Sequence, residues 1–147
     1  MSSIREIQDE IIEEFQLLEG DREAMLFYLM ELGDKMETLD EEYKTEDNII
    51  KGCQSKVWLH ADLVDGKIQY QADSDAIIVK GIVALLVKVL NGRTPSEIVN
   101  NELFFIEDIG LRQNLSPTRS NGLLAMVKKM RLYALAYQTQ ESKSQKS

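Results

Sequence analysis

The dipeptide Asp65-Gly66 constrains this chain more than any other feature. Asp-Gly between two stretches of alternating apolar and polar residues is a preferred two-residue loop for an antiparallel hairpin, because both loop positions take positive φ. Counting outward from the turn pairs Val64 with Lys67, Leu63 with Ile68, Ala61 with Tyr70 and Leu59 with Ala72. Side chains alternate along a strand, so the last three pairs fall on one face. The other face carries Trp58, His60, Asp62, Gln69, Gln71 and Asp73. The pattern predicts a hairpin with one face on a core and the other mostly polar.

The segments around the hairpin read as helices. Asp73-Ser74-Asp75 offers an N-cap and first-turn carboxylates for a helix over 76–90 that is apolar nearly all round, as a central helix is. That helix falls short of the roughly 20 apolar residues of a membrane span, and Lys80 and Lys88 interrupt it. Upstream, Ser3 and Glu6 form a capping-box pair ahead of Ile4, Ile7, Ile11, Phe15 and Leu18, with Gly20 as the stop. Asp21 caps a second helix carrying Met25, Leu26, Leu29 and Leu32, with Gly33 as its stop. These two helices are expected to pair as an antiparallel hairpin. Residues 34–48 are polar and acidic without a period, and read as a loop. Downstream, Thr94-Pro95-Ser96-Glu97 is another capping box. A short helix follows it, and then another, bearing Leu103, Ile106 and Ile109, closes at Gly110. Ser116-Pro117 opens a long last helix whose buried stripe is Leu123, Val127, Met130, Ala134 and Tyr137. One domain over 1–138 and a disordered polar tail over 139–147 follow from this reading.

Composition removes several function classes. The chain has 147 residues, enough for one domain with its own core. It holds one Cys and one His, so neither a disulfide, a four-ligand zinc site nor a cluster held by cysteines can form within it. The net charge is −8, against the basic face that nucleic-acid binding needs and against attraction to an acidic membrane surface. Residues 1–50 carry 4 basic and 16 acidic side chains, whereas 51–147 carry 13 basic and 9 acidic. A chain polarised in this way can orient on a partner. Met1-Ser2-Ser3 leads into amphipathic sequence with no apolar signal segment, and a lone thiol suits a reducing compartment; a cytoplasmic location is the expectation.

The one side chain suited to nucleophilic chemistry is Cys53, in the short segment Asn48-Ile49-Ile50-Lys51-Gly52-Cys53-Gln54-Ser55 ahead of the first strand. Gly52 permits an unusual backbone, and Lys51 and Lys56 are neighbours of the kind that favour a thiolate. The competing reading is a small buried hydrophobe, as many free cysteines are. A hydrolase needs a base for the nucleophile, and the only His, His60, falls on the sheet face away from the core. No phosphate-cradling glycine loop is present. In Leu115-Ser116-Pro117-Thr118-Arg119-Ser120-Asn121-Gly122-Leu123, most residues serve a helix start, but Arg119 is not required for that and suits an anion or a partner's carboxylate.

Three motifs together carry a resemblance. Gly52-Cys53-Gln54-Ser55-x-Val57-Trp58, then Asp73-Ser74-Asp75-Ala76-x-Ile78-Val79-Lys80-Gly81, then Leu115-Ser116-Pro117-x-Arg119-Ser120-Asn121-Gly122-Leu123 resemble the SufE family of sulfur acceptors, across about residues 4–138. The resemblance implies an α+β fold similar to the IscU cluster scaffold: a small antiparallel sheet, with helices packed on one face and room for a third short strand near 43–50. It implies that Cys53 accepts persulfide sulfur, with Gly52 and Gln54 supporting its loop. It also implies that Asp75 and Arg119 face the partner. That partner would be a pyridoxal-phosphate cysteine desulfurase, SufS-like or CsdA-like, whose turnover is stimulated and whose sulfur passes on to an iron–sulfur scaffold complex. No metal or cofactor of its own is implied. The sequence departs from the family in 34–48, which lacks the prolines common there. The rival readings are a noncatalytic interaction module with a structural Cys53, and an IscU-like scaffold, which the cysteine count disfavours.

Overall fold

The computed structural model describes residues 3–37 and 39–145, with side chains described to residue 140. Strands β1 (Val57–Val64) and β2 (Lys67–Ser74) pair antiparallel in the register counted from the turn. Asp65 and Gly66 have φ of 53° and 79°, the left-handed pair that a two-residue loop of this kind requires. Leu59, Ala61, Ile68, Tyr70 and Ala72 are buried on the inner face, while Leu63, next to the turn, is 36% exposed. Among the described residues the sheet has two strands. Each edge is extended by a single bridge, Ile49 opposite Trp58 and Arg93 opposite Ile68. The third strand near 43–50 is therefore reduced to one bridge. Short 3-10 turns at Glu41–Tyr43 and Glu46–Asn48, and a turn at 51–52, break up the stretch and leave Ile49 to make the bridge.

The outer face is partly covered: Asp62 and Gln71 are exposed, while Trp58, His60 and Asp73 lie beneath the 43–44 segment. The Tyr43 ring stacks on His60 at 3.8 Å, and the Lys44 ammonium lies 5.7 Å from the Trp58 ring centroid. Asp73 is buried and pairs with Lys44 at 3.1 Å and Lys80 at 3.4 Å. Burial would raise its carboxyl pKa; the Ser74 amide and the two lysines outweigh that and hold it below the ordinary value. Asp73 therefore belongs to the end of β2 and to an ion cluster, not to a helix cap.

Helix α3 (Ile77–Leu90) packs on the inner face and is central, as its all-round apolarity predicts. It starts later than expected, with Ala76 in the N-cap position and no side-chain cap. Helix α2 (Arg22–Lys35) lies along α3. Gly33 does not end α2. It lies inside the helix, where a Cβ would come 2.9 Å from the Gly81 amide nitrogen; a Cβ on Gly81 would come 2.0 Å from the Leu29 carbonyl oxygen. The two glycines let the backbones approach this closely, a demand that looks like a helix stop in sequence.

Helix α1 (Ile4–Gln16) has the capping box of Ser3 and Glu6. It packs against α3 and against α5 (Phe105–Asp108), so it does not form the closed hairpin with α2 that was expected. The two meet near their turn, through an edge-to-face Phe15–Tyr28 contact and a Tyr28 hydroxyl donated to Glu14 at 2.5 Å. Buried Gln8 ties α1 to the chain before α5, donating to the Glu102 carbonyl and accepting from the Phe105 amide. Helix α4 (Pro95–Asn100), capped by Thr94, packs on α6 (Pro117–Gln145). Leu123, Met126, Met130 and Ala134 of α6 are buried, and the Tyr70 hydroxyl donates to the Met130 carbonyl at 2.7 Å. The polar stretch after 138 continues as helix to Gln145, rich in the Gln, Glu and Lys that favour helix; the rest of the expected tail, 146–147, and Met1-Ser2 lie outside the described residues. The result is an α+β fold: a small antiparallel sheet with helices on one face.

Candidate functional site

The Cys53 segment is a short loop pinned at both ends. On one side, the Ile50 amide donates to the Val57 carbonyl at 2.8 Å, with both side chains buried. On the other, the Lys56 amide donates to Asp75 Oδ1 at 3.0 Å, while the Lys56 carbonyl accepts from the Asp75 amide at 3.2 Å and from Ser74 Oγ at 2.8 Å. Asp75, expected in the first turn of the helix, is instead a clamp on the base of this loop. Helix α3 begins two residues later and leaves the carboxylate to the strand–helix corner.

Between these anchors the loop leans on α6. Gly52 has φ of 96°, and a Cβ there would lie 3.2 Å from the Ala125 Cβ, so both its conformation and its contact favour glycine. Cys53 Sγ lies 3.6 Å from the Gly122 carbonyl oxygen, within reach of a weak S–H donation. The thiol is free and half-buried. Burial pushes its pKa up. That is opposite to the direction in which Lys51 and Lys56, both exposed, were expected to move it.

Cys53 lines a groove of about 350 Å³ together with Gln54, Ser55, Val79, Ser116 and Arg119. The N-terminal turn of α6 forms its far wall. The Arg119 amide donates to Ser116 Oγ at 3.3 Å, and Arg112 Nε donates to Ser120 Oγ at 3.3 Å, tying the preceding turn to the helix. An exposed guanidinium and a helix N-terminus both place positive potential at the groove. Such a groove suits an anionic or electron-rich group of a bound molecule.

Cys53, Gln54 and Arg119 thus come together in one groove, with Gly52 shaping the loop. Asp75 does not line the groove; it acts on it through Lys56. His60 lies elsewhere, on the outer sheet face, with Nε2 3.0 Å from Asp62 Oδ2. The sequence reading missed Gly122 as the thiol's neighbour and Val79 as a wall residue. A glycine in the second turn of a helix, where it weakens the helix, was the available signal for a close neighbour. Among the described residues, no group of three His, Cys, Asp or Glu side chains is placed to share a metal ion, and no helix is long and apolar enough to cross a membrane.

Residues 9–134 match the SufE family model, described as an Fe-S metabolism associated domain. An uncharacterized SufE-like protein of Synechocystis is 48% identical over 120 residues, which cover 82% of this chain and 73% of that protein. A SufE-like protein of Rhizobium etli is 41% identical over 128 residues, covering 84% of this chain and 86% of its own. SufE-like protein 1, chloroplastic/mitochondrial, of Arabidopsis thaliana is 41% identical over 130 residues, covering 86% of this chain but 34% of that longer protein. The fold also matches the solution structure of a hypothetical protein from Thermus thermophilus, with a TM-score of 0.74 over 90% of this chain and 96% of the other, at 24% identity.

Proposed function

The chain belongs to the SufE family and so to iron–sulfur metabolism, and from that premise we propose that it is a sulfur acceptor using Cys53. The observation that carries the reading is the placement of the only thiol in the chain. It sits on a pinned loop, at a groove walled by Arg119 and the start of α6. The donor is a cysteine desulfurase, SufS-like or CsdA-like, whose turnover this chain stimulates; the onward recipient is an iron–sulfur scaffold complex. The lone thiol suits a reducing compartment, and we place the protein in the cytoplasm.

The transfer is a thiol exchange. The Cys53 thiolate attacks the outer sulfur of the donor's persulfide. A new S–S bond forms at Cys53 Sγ, the donor's S–S bond breaks, and its electron pair leaves with the donor thiolate, which takes up a proton. One bond replaces another, so no outside oxidant or reductant is consumed. The raised pKa of the half-buried thiol keeps the free protein slow toward oxidants and electrophiles. Docking then selects a loop conformer with Cys53 turned out, Gly52 serving as the hinge. Arg119 contacts the docked partner, and Asp75 holds the loop base from which Cys53 turns.

The test is desulfurase turnover in the presence of wild-type protein or of Cys53→Ser, with folding of both confirmed by thermal melting. The proposal expects stimulation by wild type and its loss in the serine variant. Equal stimulation by both would reduce Cys53 to a packing residue and leave a noncatalytic interaction module.

A further inference from the structure

On the flank of α6 away from Cys53, the protein presents an apolar groove that the sulfur chemistry does not use. It has a volume of about 420 Å³ and is walled by Val99 of α4 and by Leu124, Val127, Leu132 and Leu135 of α6. Leu124, Leu132 and Leu135 are 44%, 48% and 47% exposed, an unusual concentration of large apolar side chains on one helix of a chain with net charge −8. Their spacing of eight and three residues puts them on one stripe, roughly 16 Å long at the helical rise. The charged side chains that line the groove are Lys128 and Arg131, both cationic. Arg131 is anchored by donation to the Asn101 carbonyl at the end of α4, which fixes it at the rim.

We propose that this groove docks an amphipathic helix of a partner protein, one bearing Leu-type side chains at i, i+3 or i+4 and i+7 with Asp or Glu along its flanks. The α6 stripe of Leu124, Val127, Leu132 and Leu135, bordered by Val99 of α4, fits the helix-in-groove mode of recognition, in which the apolar stripe gives affinity and the rim charges choose the partner. Two cationic rim residues select an acidic helix. Two cations at the rim are fewer than the roughly four to eight that mark recruitment to an anionic lipid surface, which favours a protein helix. Gly122, which faces the thiol, and Leu124, which opens the groove, lie on different sides of α6. The bound helix therefore leaves Cys53 free, and a partner tethered here stays attached while the thiol receives or gives up its sulfur.

The experiment uses the full chain, labelled with 15N, and a synthetic amphipathic peptide of Leu and Glu in helical spacing. Three further probes are added separately: a scrambled peptide of the same composition, a peptide with Lys in place of Glu, and vesicles containing anionic lipid. The expected result is saturable shifts confined to α4 and the 124–135 stretch of α6, from the acidic amphipathic peptide alone. Affinity should fall at least tenfold in Leu132→Asp and weaken with salt, while Cys53→Ser binds like wild type. Because Leu132 is exposed, the variant should keep its fold, which the unperturbed remainder of its spectrum checks. No shifts at millimolar peptide, equal response to the scrambled or basic peptide, binding to vesicles instead, or no loss in Leu132→Asp would each overturn the proposal. Self-association of the free chain abolished by Leu132→Asp would also overturn it, by assigning the groove to a second copy.

Discussion

Replacing Gly81 by Ala tests the packing on which the rest of the structure stands. An added Cβ would sit 2.0 Å from the Leu29 carbonyl oxygen, 2.5 Å from its carbon and 2.9 Å from the Leu29 Cβ. A carbon–oxygen contact needs about 3.3 Å, so α2 and α3 must part locally by about 1.3 Å. The obstacle is backbone, which cannot rotate away as a side chain can. Overpacking of a core costs about 1–3 kcal/mol, and this contact belongs at the upper end or beyond. Against it stands the gain of about 0.5–1 kcal/mol for replacing Gly by Ala within a helix. The net is a loss of about 2 kcal/mol or more, which for a domain near this size lowers Tm by about 4–8 °C. Thermal and urea melts of wild type and Gly81→Ala measure it. Gly33→Ala, whose Cβ meets the Gly81 amide nitrogen at 2.9 Å, should lose less. An unchanged or raised Tm in Gly81→Ala would mean that helix propensity outweighs the crossing, and the close-approach argument would fail.

Three further outcomes follow from the loop and the outer sheet face. Burial raises the Cys53 pKa, so the thiol stays protonated at pH values where a free cysteine has begun to ionise; alkylation of the free protein should be slower than that of a small thiol at neutral pH, its rate should keep rising with pH beyond the small thiol's plateau, and a catalytically dead desulfurase should accelerate it. Asp75→Ala removes the acceptor for the Lys56 amide, at a cost of about 0.5–1.5 kcal/mol, and should speed alkylation of Cys53 in the free protein; normal alkylation with weaker desulfurase affinity would assign Asp75 to docking alone. Asp73 has its carboxyl pKa lowered in the folded state, so its contribution is present above the ordinary carboxylate pKa and is lost as pH falls through the lowered value; acid melts should show the stability gap between wild type and Asp73→Asn narrowing as pH drops, and a constant gap would refute the ion cluster's role.

The hairpin was legible because its signal is local: a turn type demanding positive φ at two residues, and an alternation that settles which face is buried. The capping boxes at Ser3 and Thr94 were legible for the same reason. Gly33 misled because a glycine needed for close approach and a glycine needed for a helix end look alike until the opposing Gly81 is in place. Asp73 and Asp75 misled because short acidic runs before a helix are the ordinary cap signal. Only the fold brings Lys44 and Lys80 to one carboxylate and the Lys56 amide to the other. At the site, Cys53 and Arg119 were chosen by residue type and motif, but their meeting in one groove depends on α6 returning beside the loop, where Cys53 meets Gly122, 69 positions on in the chain. The direction of the thiol's pKa followed burial rather than the neighbouring lysines, and burial of a loop residue is a property of the tertiary structure.

The most direct measurement is the intact mass of this protein after incubation with a cysteine desulfurase and cysteine, followed by removal of the desulfurase. The expected result is an added mass of one sulfur atom, released by a reductant, mapped to the peptide containing Cys53 and absent from Cys53→Ser. An unmodified chain under conditions where the desulfurase is turning over and stimulated would contradict it.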